Sequence, residues 1–250
     1  MRGYLTLTRR ELGGYFLTLT GYIIIAAATF LMSFSFVVLM AELQHEPTPM
    51  PITELFYVTY FFWLILLLST PVITMRLFAH ERFSGTYETL MTTPVTDRQV
   101  VLAKFTGALL FYCVMWLPLL GCLWVVRNYA ATPGVLDWGA VGGTYLGIVL
   151  LGSFYLSMGC CASALTRSQV SAAMMSLALG AGIFFVAWLA DYFPNQATWQ
   201  AQLLAQFDFF QQMHDFVRGI IDTRWVVFLL TLSFFFLFLN LRIVESRRWK

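Results

Sequence analysis

The sequence predicts an all-α membrane protein: six transmembrane helices, both termini in the cytoplasm, a short helix between the second and third spans, and an outer amphipathic helical segment before the sixth. Three observations predict it. Of 250 residues, 59% are hydrophobic and 11% charged, with 24 Phe and a mean hydropathy of +0.74. Soluble domains carry about 25% charged residues, and a core of this size could not hide so much apolar surface. The few charges cluster so as to leave six long uncharged windows, and Lys and Arg fall mainly on one side of them. The formal net charge of +2 is too small to point to a nucleic-acid partner.

A helix needs about 20 apolar residues to cross the hydrocarbon. The windows place spans at 21–41, 55–75, 104–126, 138–166, 168–190 and 225–241, in one membrane domain covering 1–250. The last span is short and needs Trp225 and Arg242 at its two interfaces. The first apolar run is longer than the roughly 7–15 residues of a signal-peptide core and is read as a retained span.

Orientation follows from the basic residues. With the amino terminus inside, inner segments hold Arg2, Arg9, Arg10, Arg76, Arg82, Arg98, Lys104, Arg167, Arg242, Arg247, Arg248 and Lys250. Outer loops hold only Arg127, Arg218 and Arg224. That asymmetry is the positive-inside rule, and Trp124, Trp138, Trp188 and Trp225 at the outer boundary agree with it.

The outer segment 208–222 alternates at helical spacing. Phe209, Phe210, Met213, Phe216, Val217, Ile220 and Ile221 form one face, and Asp208, Gln211, Gln212, Asp215, Arg218 and Asp222 the other. Such a helix lies on the membrane surface or tucks back between the spans. Stripes of small residues, Gly139-Gly143-Gly147 and Ala172-Ser176-Gly180, allow close helix approach within or between subunits, and the second is taken as the subunit-packing stripe. Pro71 and Pro118 are expected to kink spans two and three. Cys113, Cys122, Cys160 and Cys161 sit in apolar stretches without metal-ligand spacing and read as packing residues.

The missing chemistry is as informative. No Asp, Glu, Lys, Arg or His lies at the centre of a span, so the ion sites of secondary carriers, pumps and voltage sensors have no carrier here, nor do intramembrane proteases. A phosphate-binding loop ends in Gly-Lys-Ser/Thr. The only lysines are Lys104, after Ala103, and the final Lys250. An ATP-driven activity therefore needs another chain.

The polar segment with internal logic is Arg76–Lys104. Span two continues through Ala79-His80-Glu81-Arg82, Ser84-Gly85 breaks it, and Gly85-Thr86 opens a short helix with Glu88 in its first turn, where the helix dipole favours an acid. Pro94 closes that helix, and Thr96-Asp97-Arg98-Gln99 has the form of a capping box that starts span three. A well-capped turn is the plainer reading of this loop, yet a turn needs far fewer residues.

The run Glu81-Arg82-x-Ser84-Gly85-Thr86-x-Glu88-x-Leu90, then Pro94 and Lys104, resembles the coupling-helix region of ABC-2 type exporter permeases. Arg9-Arg10-Glu11-Leu12 with Tyr15-Phe16 and Gly21-Tyr22 is similar to their N-terminal amphipathic interfacial helix, and 163–169, with Arg167, to their second cytoplasmic contact. Residues 219–224 and 245–249 look most like the gliding-motility-associated branch, itself similar to the nitrous-oxide-reductase maturation permeases. The resemblance implies a bacterial inner-membrane exporter subunit without enzymatic activity or cofactor of its own. A separate ATPase subunit binding ATP and magnesium would couple through Glu81, Arg82, Gly85, Thr86, Glu88, Leu90, Pro94 and Arg167. It further implies a second permease subunit, identical or not, contacts with membrane lipids, and an outer gate carrying Phe209, Phe210, Met213 and Phe216. Gliding-type systems also resemble assemblies with an accessory membrane protein bearing a large outer domain, and a mechanotransmission complex that moves such a partner and no substrate is the alternative.

Overall fold

A computed structural model describes residues 2–45, 57, 60–85, 96–129, 137–192 and 206–248. Among them are ten helices and no strand: α1 (Arg2–Phe16), α2 (Leu19–His45), α3 (Phe61–Thr74), α4 (Ala79–Phe83), α5 (Asp97–Met115), α6 (Pro118–Tyr129), α7 (Trp138–Leu165), α8 (Gln169–Tyr192), α9 (Phe209–Val217) and α10 (Thr223–Arg248). Six helical segments are long and apolar enough to cross a membrane. They are α2, α3 with α4, α5 with α6, α7, α8 and α10.

Local chemistry sets the ends. Thr96 and Gln99 form the expected capping box: Thr96 Oγ1 accepts from Gln99 N at 3.4 Å, and Thr96 N donates to Gln99 Oε1 at 3.3 Å. Asp137 caps α7 by accepting from Gly139 N at 2.8 Å, and Asp208 caps α9 by accepting from Gln211 N at 2.9 Å. The third span breaks at Trp116–Leu117, just before Pro118, whose nitrogen cannot donate to the preceding turn. Tyr145 Oη donates to Trp116 O at 3.0 Å at that break. The helix of α3, in contrast, is continuous through Pro71 and closes with Met75 N donating to Pro71 O at 2.9 Å. The second span does not run straight into Ala79–Arg82 as its sequence suggests. It turns over Met75–Phe78 before α4 begins.

The centre of the bundle is α7, which packs against α10, α8, α9, α3 and α5 and is buried almost throughout from Ala140 to Ala164. Small residues make this possible. A Cβ on Gly152 would lie 2.2 Å from the Tyr112 ring, and one on Gly159 2.3 Å from Thr74 Oγ1. Here the gain from close approach is dispersion and interhelical hydrogen bonding, because lipid is as apolar as the helix itself. One such bond joins Ser153 and Ser233 at 3.1 Å.

Candidate functional site

At the Lys/Arg-rich end of the bundle, α4 lies where α1, α5 and the α7–α8 turn meet. Lys104 projects from α5 into this junction with its side chain only 2% exposed. Its Nζ lies 3.2 Å from Glu11 Oε1 on α1 and 2.8 Å from Glu81 Oε1 on α4. Arg10 closes the circuit, with Nη2 at 2.8 Å from Glu11 and 3.0 Å from Glu81. The ammonium also lies 5.4 Å from the centre of the Phe78 ring. Burial pushes the Glu11 carboxyl up, but Lys104 and Arg10 more than offset this and hold it below the usual carboxylate range. A shared ammonium between two carboxylates ties α1 to α4 and α5, which lie far from it in sequence.

The other side of α4 is bound to the α7–α8 turn. Ser163 Oγ accepts from Phe78 N and Ala79 N, each at 3.1 Å, and so satisfies two of the donors left over at a helix start. Arg82 Nη1 donates to Ala164 O and, at 3.4 Å, to Thr166 O. His80 Nδ1 and Gln169 Nε2 are 2.8 Å apart. The two polar segments noted separately in the sequence therefore form one platform. Arg167 is exposed on it, and so is Phe83, at 78% an unusually bare aromatic side chain.

Of the residues expected to couple, Glu81 and Arg82 anchor α4, and Gly85 ends it at φ +72°, a conformation that suits glycine. Thr86, Glu88, Leu90 and Pro94 lie outside the described residues, as does the short helix expected there. Glu11 and Lys104 belong to separate sequence motifs, and nothing in their spacing, 93 positions apart, signals that they meet.

At the opposite end, α9 tucks back into the bundle. Phe209, Met213 and Phe216 are buried, and Phe210 packs on Trp63 with ring centres 4.5 Å apart and on Phe184 at 5.4 Å. Tyr57 Oη donates to Phe210 O at 2.8 Å. The glycine stripe of α7 is its seat: a Cβ on Gly143 would be 2.3 Å from Phe216 O, and one on Gly147 2.8 Å from Met213 Sδ.

The stripe Ala172-Ser176-Gly180 packs within the chain. It faces α7 and α3 of the same chain. Ala172 and Ser176 are buried, Ser176 Oγ is 2.9 Å from the Cβ position of Gly159 on α7, and the Cβ position of Gly180 is 3.3 Å from Tyr155 of α7 and 3.5 Å from Leu67 of α3. Small side chains signal a close partner without saying whose helix it is.

A family model described as ABC-2 family transporter protein matches residues 50–235. No curated protein matches the chain.

Proposed function

We propose, from the premise that this chain belongs to the ABC-2 family of transporter proteins, that it is the permease of an exporter driven through α4 by a separate ATPase subunit. Membership makes it a multi-pass membrane protein and the permease component of an ABC transporter, a class that works with an ATPase partner. Export across a bacterial inner membrane, with two permease subunits forming the pathway, is the further reading.

The observation that carries it is the platform. A push on α4 cannot be absorbed locally, because α4 is joined to α1 and α5 through Lys104, Glu11 and Glu81 and to the α7–α8 turn through Ser163 and Arg82. Closure of the ATPases would tilt several spans together, and α9, held by side-chain packing against α7 and α8, would move as the outer gate. Phe83 adds a bare aromatic side chain to that docking surface, and Arg167 extends it onto the α7–α8 turn. The C-terminal resemblance to the gliding-motility branch supports an accessory partner with an outer domain.

The test is co-purification. Gly85→Val forces a branched side chain into positive φ, and Glu88→Lys reverses the charge offered to a basic partner. Both variants are expected to insert normally and to lose the ATPase subunit or its ATP-dependent activity. Wild-type recovery and activity from both would reduce this loop to a turn.

Orientation has its own check. Single cysteines in Thr48→Cys and Asn195→Cys are expected to react with an impermeant maleimide added outside intact cells, and those in Thr92→Cys and Ser246→Cys only after permeabilisation. The reverse pattern would overturn the assigned topology.

A further inference from the structure

The turn from α1 into α2 wraps the end of α3, where Tyr15 Oη donates to Ile73 O at 2.8 Å. Just beyond lies Arg76, half-buried, its Nη1 donating to Thr18 Oγ1 at 3.3 Å and to Thr20 Oγ1. Both bonds use one nitrogen of the guanidinium. Among the described residues no carboxylate lies within ion-pair distance of Arg76, since the nearby Glu11 and Glu81 are held by Lys104 and Arg10. The hollow beside it, about 120 Å³, is lined by Glu11, Tyr15, Arg76, His80, Glu81 and Lys104. With Arg10, three cations there face two carboxylates.

A second cavity begins one turn away. Of about 190 Å³, it follows the seam between α2 and α3 from Ile23 and Val72 to Leu31 and Ile65, and Ala27, Leu68 and Ser69 also line it. At 1.5 Å per residue it runs for about 10 Å along the helices. Cavities of about 150 Å³ with such lining accept apolar guests. Thr20 precedes Ile23 on α2, and Arg76 follows Val72 just past the end of α3, so the basic mouth and the apolar groove share one seam.

We propose that this seam is a binding site for an anionic phospholipid, with the headgroup phosphate on Arg76 and one acyl chain in the groove. A guanidinium pairs with two phosphate oxygens at once and so selects an anion that hydroxyls alone would not. The groove supplies the requirement for a chain. Neither half depends on ATPase coupling, and the measurement needs no partner subunit.

The experiment uses the full chain, purified in mild detergent and titrated with phosphatidylglycerol or phosphatidylcholine, with bound lipid counted by native mass spectrometry. Wild type is expected to retain phosphatidylglycerol in preference. Arg76→Gln should lower that preference about fivefold or more, the loss of one basic contact at a membrane surface. Ala27→Trp, at a position exposed on α2, should block the groove and abolish retention of either lipid while the chain stays monodisperse. Arg242→Gln, which removes a charge from α10, serves as the control and should match wild type. Equal retention of the two lipids by wild type, unchanged preference in Arg76→Gln, or full retention by Ala27→Trp would each overturn the site. So would free glycerophosphate competing as strongly as the intact lipid, since the acyl chain would then contribute nothing.

Discussion

Lys104→Met is expected to destabilise the folded chain by about 3–5 kcal/mol, the cost of stranding buried charge when one side of an ion pair is removed. The side chain is 2% exposed, and the two carboxylates it serves are 14% and 15% exposed, so water cannot take its place cheaply. Arg10 would remain, but it is half in solvent and cannot neutralise both acids. Combining Lys104→Met with Glu11→Gln and Glu81→Gln should recover much of the loss, because no unpaired charge is then left inside. Thermal unfolding in detergent reads the difference. A single variant that melts like wild type would show a solvated network without mechanical value. The cluster also has a pH signature. Glu11 has a lowered pKa when folded, so its contribution is complete above the ordinary carboxylate range and disappears as pH falls through that lowered value. Acidification should therefore lower the melting point of wild type more than that of Glu11→Gln.

Gly143→Val is expected to dislodge α9. The new Cβ would sit 2.3 Å from the carbonyl oxygen of Phe216 and 3.2 Å from the Cα of Gly219, which are backbone atoms that cannot swing aside as a side-chain tip could. Overpacking of this kind costs about 1–3 kcal/mol and more where backbone must move. Displacing α9 also breaks the Tyr57–Phe210 hydrogen bond and the Trp63–Phe210 stacking. Gly142→Val is the matched control, the same change one residue away where a Cβ would meet nothing within 4 Å. Met213→Cys reports the result, since Met213 is buried when α9 is seated. It should resist a hydrophilic maleimide in the Gly142→Val background and react in the Gly143→Val background. Equal reactivity in the two would show that the glycine seat does not hold α9 in place.

The elements and their medium are legible in the chain alone. Charge is too costly inside hydrocarbon to be misplaced, so six uncharged windows announce six spanning helices. Caps are equally local: Thr96 reaches Gln99 within one turn, and the two faces of 208–222 differ enough to show that Phe209, Met213 and Phe216 seek an apolar partner. Which partner each surface found emerges only in the folded bundle. The stripe on α7 received α9, the stripe on α8 received its own chain's α7 and α3, and Lys104 was drawn between Glu11 and Glu81. Helical periodicity records which face of a helix is apolar or small, but it carries no address. A lysine at the edge of a span looks the same in sequence whether it anchors to headgroups or closes a buried ion pair. Its role depends on acids brought near by α1 and α4, and on the water that the packing of those helices excludes.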